Sequence, residues 1–191
     1  MISFRIHGRG GQGAIAASEL IALAAFHQGF YAQSLPFFGV ERSGAPVQAY
    51  VRISDRAIIT HSQVKEPDYL IIQDDTLIAV KDVYLGLNPK TKILINSQET
   101  SEILRKKIRL KIKNNDILTV NASQIALNIM RRNIINTSLL GAFSAHYNLL
   151  SKENCQQAII DKFSKKGRGT VKLNQKIFLF TYDLCQKNAN N

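Results

Sequence analysis

A glycine-rich loop between a strand-like segment and a helical one constrains the fold of this chain most. Residues 2–6 alternate apolar and polar side chains, as in a short strand. Residues 14–28 are rich in Ala, Leu and Ile at helical spacing and precede Gly29. The loop between them contains Gly8, Arg9, Gly10, Gly11, Gln12 and Gly13 and matches the pattern G-x-G-x-x-G. This order is typical of the start of a doubly wound, Rossmann-like α/β domain.

The rest of the chain continues the α/β pattern and then becomes helical. Further strands are predicted at residues 30–35, 47–53, 69–73, 92–96 and 117–120, with 57–60 as the hairpin partner of 47–53. Helices are predicted at residues 122–130, 137–149, 151–163 and 173–187. We therefore predict a three-layer α/β fold with a mostly parallel sheet, an added hairpin and C-terminal helices. One domain is expected over residues 1–191, helical from about residue 122.

The glycine loop is a candidate anion site. Such a loop brings backbone N–H groups and a helix N-terminus close to a phosphate, and Arg9 would add a bidentate donor. The alternative is that the glycines only allow tight strand–helix packing. A nicotinamide site also needs an acidic residue about twenty positions further on, but no Asp or Glu lies between Glu19 and Glu41. This disfavours a dehydrogenase, and a stand-alone nucleotide-binding oxidoreductase remains the alternative function.

A second loop follows the second predicted strand and contains Glu41 and Arg42. In open α/β sheets, ligands bind at the carboxyl ends of the strands, where this loop is expected. Phe37 and Phe38 stand just before it and need cover from the domain or from another chain. Asp74 and Asp75 follow another predicted strand, where they either cap a helix or form a carboxylate pair.

Cysteine count and charge exclude several classes of protein. The two cysteines are too few for an iron–sulfur cluster, which needs about four thiolates. No run approaches the about 20 apolar residues of a membrane span, so we expect a cytoplasmic protein without a membrane partner. The net charge of +11 arises wholly in residues 101–191. The basic run from Lys107 to Lys113 alternates with Ile and Leu, which predicts a half-exposed strand. We still expect no nucleic-acid partner, because this run lacks aromatic residues for base stacking.

Four segments of the chain carry a resemblance to a known family. They are RIHGRGGQGA at residues 5–14, YAQSLPFFGVERSGAPV at 31–47, EPDY at 66–69 and INTSLLGAF at 135–143. Together they resemble the gamma subunits of pyruvate and related 2-oxoacid:ferredoxin (flavodoxin) oxidoreductases. They occur in the order of that family and span most of the chain. Ser43 stands where the family commonly has a second arginine. The form of this loop is similar to that of the pyruvate and branched-chain types, of which we favour pyruvate.

The resemblance implies a subunit that is inactive alone. Thiamine diphosphate, Mg²⁺ and 4Fe–4S clusters would lie on alpha, beta and delta-type subunits, and this chain would bind none of them by itself. The complex would decarboxylate the 2-oxoacid oxidatively, pass the acyl group to coenzyme A and pass electrons to ferredoxin or flavodoxin. The resemblance also implies a role in positioning coenzyme A, which we assign to Gly8, Arg9, Gly10, Gly11, Gln12 and Gly13, with Glu41 and Arg42.

Overall fold

The N-terminal strand and helix form where the sequence predicts them. The computed structural model describes residues 1–37, 45–108 and 116–189, and in it β1 spans Ile2–Arg9 and α1 spans Ala14–His27. The later strands are β2 (Tyr31–Phe37), β3 (Pro46–Ser54), β4 (Tyr69–Ile72), β5 (Lys92–Asn96) and β6 (Ile117–Val120). The later helices are α2 (Ser101–Lys107), α3 (Ala122–Met130), α4 (Asn136–Tyr147), α5 (Lys152–Phe163) and α6 (Arg168–Ala189). Short 3-10 turns occupy Asp75–Ala79, Lys81–Tyr84 and Ser164–Lys166.

The strands form a mixed sheet in the order β2-β3-β1-β4-β5-β6. β1, β4, β5 and β6 are parallel neighbours. β3 is antiparallel to both β1 and β2. The mostly parallel sheet is therefore confirmed, and the hairpin added to it is formed by β2 and β3. The glycine loop lies at the carboxyl end of β1.

Two local predictions are wrong. The hairpin partner of β3 is β2, whereas residues 57–60 form no strand and Ile59 is 87% exposed. The predicted strand from Lys107 is wrong at its first two residues, because Lys107 ends α2 and Ile108 is its C-cap. The start of α2 is capped by the Thr100 side chain. Residues 109–113 of that run lie outside the described residues. α2 itself was not predicted, since its basic last turn obscures the helical spacing.

The parallel strands are buried on both faces, and alternate side chains face separate cores. Tyr69 and Ile71 belong to the larger core, which also contains residues of α1, α3, α4, α5 and α6. Leu70 and Ile72 belong to a smaller core with residues from α2 and from the 3-10 turns. The three-layer prediction is confirmed, with most of the helical mass on one side.

A polar seam joins α4 to α6 inside the larger core. Thr137 Oγ1 donates to Asn174 Oδ1 at 3.1 Å, and the Ser138 and Thr181 hydroxyls are 2.9 Å apart. A side chain on Gly141 would place its Cβ 2.5 Å from the carbonyl oxygen of Phe178. The small and polar residues at the start of α4 therefore bring the two helices close together. No helix in the described residues is both long and apolar enough to cross a membrane.

Candidate functional site

Two glycines of the loop make room for buried amide side chains. A Cβ at Gly8 would lie 2.5 Å from Gln73 Oε1, and a Cβ at Gly13 would lie 2.6 Å from Asn136 Nδ2. Gln73 follows β4 and Asn136 begins α4, and the Gln73 amide donates to Asn136 Oδ1 at 3.2 Å. Gly13 also has φ +81°, a conformation that favours glycine. Close packing is thus one role of Gly8 and Gly13.

Arg9 and Gln12 connect the loop to the end of β4 through Asp74. The Gln12 side chain accepts from Arg9 N at 2.7 Å and donates to Asp74 Oδ2 at 2.6 Å. Arg9 Nε lies 3.4 Å from Asp74 Oδ2, and the guanidinium donates to the Thr76 hydroxyl at 2.6 and 3.0 Å. Arg9 therefore has a carboxylate partner within the chain. Its side chain is still 34% exposed.

Asp74 is a structural carboxylate rather than a proton donor. Burial alone would raise its pKa, but hydrogen bonds from Thr76 and Gln12, with the charge of Arg9, outweigh burial and lower the pKa. Asp74 also accepts from Thr76 N at 3.0 Å and so caps the following 3-10 turn, which confirms the capping prediction. Asp75 accepts from the Ser97 hydroxyl at 3.0 Å. The two carboxylates have different partners and do not act as a pair.

A polar pocket of about 190 Å³ lies next to this network, at the carboxyl ends of β4, β5 and β6. Its amides are held in place: Asn96 Nδ2 donates to Gln73 O and to Ser123 Oγ, both at 2.9 Å. The pocket is too small for a whole dinucleotide, since sites for drug-sized ligands measure about 300–1,000 Å³. Its lining is mainly amide and hydroxyl groups, from Gln12, Gln73, Asp74, Asp75, Asn96, Ser97, Gln98, Asn121, Ser123 and Asn133.

Among the described residues, the outer part of the loop has no close neighbour at Gly11. Nothing in the described residues lies within 4 Å of a Cβ built on Gly11, whose φ is +93°. No side chain of the described residues caps α1, and the first turn of α1 contains no acidic residue. The N–H of Gly10 donates to Ala45 O at 2.9 Å, which ties the loop to the end of the β2–β3 connection. Glu41 and Arg42 belong to that connection and lie outside the described residues.

The structure brings Gly8, Arg9, Gln12 and Gly13 together with residues that the sequence did not reveal as part of the site. Gln73, Asn96 and Asn136 were missed. Two signals in the sequence were available. Gln73 is a polar residue directly after the apolar run of β4, and Asn136 is an asparagine before the small residues of α4.

The geometry also argues against a nicotinamide site. In a dinucleotide-binding domain the acidic residue follows the second strand, which runs parallel beside the first. Here the neighbour of β1 on that side is the antiparallel β3, and β2 is one strand further out. β2 contains no Asp or Glu. Fold and loop together define a Rossmann-like α/β domain whose second strand provides no acidic partner for the ribose of NAD(P).

Comparison with known proteins identifies the family. The model described as pyruvate ferredoxin/flavodoxin oxidoreductase matches residues 3–184, and the chain belongs to this family. The chain is 41% identical to the pyruvate/ketoisovalerate oxidoreductases common subunit gamma of Thermococcus litoralis, over 93% of this chain and 96% of that protein. It is 42% identical to pyruvate synthase subunit PorC of Methanocaldococcus jannaschii, over 87% and 88%. The crystal structure of pyruvate oxidoreductase subunit PORC from Thermotoga maritima superposes with a TM-score of 0.80, at 33% identity and 95% coverage of both chains.

Proposed function

We propose that this chain is the gamma subunit of a pyruvate:ferredoxin (or flavodoxin) oxidoreductase. The observation that carries the proposal is the family match over residues 3–184. Relatives that match over most of their own length bear the names of such subunits. In the proposed reaction pyruvate loses carbon dioxide, its acetyl group passes to coenzyme A, and the electrons pass to ferredoxin or flavodoxin.

The redox chemistry in this proposal belongs to other subunits. Burial raises the pKa of Cys155 to about 12 and that of Cys185 to about 11, so neither thiol readily becomes the thiolate that binds iron. No three His, Cys, Asp or Glu side chains lie close enough to hold a metal in the parts of the chain that are described. We propose that thiamine diphosphate, Mg²⁺ and 4Fe–4S clusters are held by the alpha, beta and delta-type subunits.

The proposed contribution of this chain is to hold the complex together and to position coenzyme A. The space beside Gly11 and the N-terminus of α1, which no side chain of the described residues caps, suit a phosphate. The adjacent amide-lined pocket suits the amides of the pantetheine arm. Arg9 lies in the same loop, and Glu41 and Arg42 belong to the connection that Gly10 tethers through Ala45. We further propose that residues 1–191 form one domain. We also propose that the complex is cytoplasmic, which fractionation of the native cells would test.

Affinity purification of the tagged chain from its native cells tests the subunit assignment. We expect a thiamine-binding subunit and iron–sulfur subunits to co-purify. The eluate should reduce ferredoxin or flavodoxin with pyruvate and coenzyme A, and faster with pyruvate than with 2-oxoisovalerate or 2-oxoglutarate. A chain that elutes alone from cells with this activity would contradict the proposal.

Arg9→Ala in the assembled enzyme tests the role in binding coenzyme A. Loss of a partly screened Arg–phosphate contact costs about 1.4 kcal/mol, and so raises the KM for coenzyme A about tenfold while the KM for pyruvate stays unchanged. Arg56→Ala is the control, because that side chain is 90% exposed.

Removal of Arg9 also leaves Asp74 without its cation, and this effect must be separated from a direct contact. Asp74→Asn removes the charge, so comparing Asp74→Asn with the double variant Arg9→Ala/Asp74→Asn shows the effect of Arg9 alone. A rise in the KM for coenzyme A that persists in the Asp74→Asn background supports direct contact. A rise that disappears there shows that Arg9 only neutralises Asp74, and an unchanged KM in both backgrounds refutes the role.

A further inference from the structure

One face of α6 exposes apolar side chains in a line. Leu173 and Leu184 are each 39% exposed and Phe180 is 53% exposed. Their spacing of seven and four residues places them on the same side of the helix, in a stripe about 16 Å long. Single exposed apolar residues are common on protein surfaces, but an aligned group usually marks a contact surface.

Lysines lie in the same line. Lys176 is three residues after Leu173 and four before Phe180, and Lys187 is three residues after Leu184; both lysines are exposed. We call Leu173, Lys176, Phe180, Leu184 and Lys187 the α6 face. Their order resembles the seam of a helix that packs against a second helix, with cations at some seam positions.

The surroundings of the α6 face are strongly basic. Residues 164–187 contain six Lys or Arg and one acidic residue, Asp183. Asp183 already accepts from Lys152 at 3.2 Å. Within the described residues neither Lys176 nor Lys187 has an ion-pair partner. The domain itself therefore leaves these charges without compensation.

The opposite side of α6 already anchors the helix. Asn174, Ile177, Phe178 and Thr181 are buried, and α6 packs closely on α4. The α6 face is thus not needed for the core, and it is free to contact another molecule.

We propose that the α6 face docks on an acidic, partly apolar surface of another subunit of the same complex. The inference rests on the proposed function for the identity of that complex. Carboxylates of the partner would pair with Lys176 and Lys187, while its apolar side chains would cover Leu173, Phe180 and Leu184. An apolar centre with charges around it is the usual composition of a protein–protein interface. A nucleic-acid backbone would match the lysines but would leave the apolar stripe in water.

Charge reversal tests the ionic half of the interface. Lys176→Glu/Lys187→Glu is introduced into the tagged chain in its native cells, with Lys165→Glu/Lys166→Glu as the control. The control makes the same change in net charge at exposed residues outside the α6 face. We expect recovery of one specific subunit to fall about tenfold for the test variant and less than about twofold for the control. Equal recovery from both variants and the wild type would overturn the inference.

Photo-cross-linking tests the apolar half without dependence on a destabilised variant. A benzophenone amino acid at position 180 should cross-link to one identified subunit, at a peptide that contains Asp or Glu. The same amino acid at position 59, where Ile59 is 87% exposed, is the control and should not cross-link to that peptide. Cross-links only within the chain, to nucleic acid, or to a peptide without acidic residues would overturn the inference. If the wild-type chain recovers no other subunit, the proposed function fails as well. If the wild-type chain assembles normally, but charge reversal has no effect and position 180 gives no cross-link to another subunit, only the docking surface is refuted.

Discussion

Substitution of Gly13 by alanine tests how the loop is built, because two separate costs meet at this residue. The backbone has φ +81°, which costs a residue with a Cβ about 1–2 kcal/mol. The new methyl group would lie 2.6 Å from Asn136 Nδ2, and crowding of this kind costs about 1–3 kcal/mol. Asn136 is buried and accepts a hydrogen bond from Gln73, so it cannot move away without losing that bond. We expect a total destabilisation of about 3 kcal/mol.

Two neighbouring glycines separate the costs. Gly11→Ala has a similar backbone cost at φ +93° but meets no atom of the described residues within 4 Å, so about 1 kcal/mol is expected. Gly8→Ala meets Gln73 Oε1 at 2.5 Å at a residue without positive φ, so the crowding cost applies alone, at about 2 kcal/mol.

Thermal unfolding of the purified chain, followed by circular dichroism, measures the three effects. For a chain of this size 1 kcal/mol lowers Tm by about 2–4 °C, so decreases of about 2–4, 4–8 and 6–12 °C are expected for Gly11→Ala, Gly8→Ala and Gly13→Ala. If Gly13→Ala melts no lower than Gly11→Ala, the Gln73–Asn136 packing against the loop is refuted.

Three buried titratable groups give further predictions. Burial, with the nearby charge of Arg5, lowers the pKa of His7 to about 3, so its ring protons should not shift between pH 8 and 5 in NMR spectra. The histidine takes up its proton below about pH 6.5 in the unfolded chain, so this group lowers the free energy of unfolding by about 1.4 kcal/mol per pH unit as the pH falls from 6.5 towards 3. Denaturant unfolding at several pH values checks this. A free energy of unfolding that does not change with pH would contradict it. Burial raises the pKa of Cys155 to about 12 and that of Cys185 to about 11, so iodoacetamide at pH 8 should leave both unmodified until the chain unfolds. Rapid labelling of the native chain would show that these thiols are accessible.

The start of the fold was predictable because its signals are local. Strand alternation, the glycine loop and the apolar spacing of α1 all lie within residues 2–29, and the predicted helix ends within one residue of His27. The helices α3, α4, α5 and α6 were also predicted, with shifts at the ends, since each has apolar residues at helical spacing. α6 begins at Arg168, about a turn earlier than predicted, because its polar first turn shows no such spacing.

Strand pairing was less predictable because it depends on contacts between distant residues. A turn at Asp55 and Arg56 suggested a hairpin with residues 57–60, but β3 finds its partners in β2 and β1 instead. Between β2 and β1, β3 is buried along most of its length. Pairing with residues 57–60 could not bury β3 in this way.

The site was half predictable for a similar reason. The glycines and Arg9 belong to a recognisable local pattern, whereas Gln73, Asn96 and Asn136 come from three separate segments that only the sheet brings together. The sequence predicted Arg9 only as a donor to an anion, whereas in the structure it also pairs with Asp74. That pairing was not predictable because it depends on β1 and β4 lying side by side in the sheet. The roles assigned to Glu41 and Arg42 stay predictions.

The central claim, that this chain is an essential subunit without catalytic activity of its own, is tested most directly by depletion and add-back. The other subunits of the complex are produced without this chain, and coenzyme A-dependent oxidation of pyruvate is measured by ferredoxin or flavodoxin reduction. We predict little or no activity from the other subunits, none from this chain alone, and full activity after the two are combined. Full activity without this chain, or pyruvate oxidation by the chain alone, would contradict the claim.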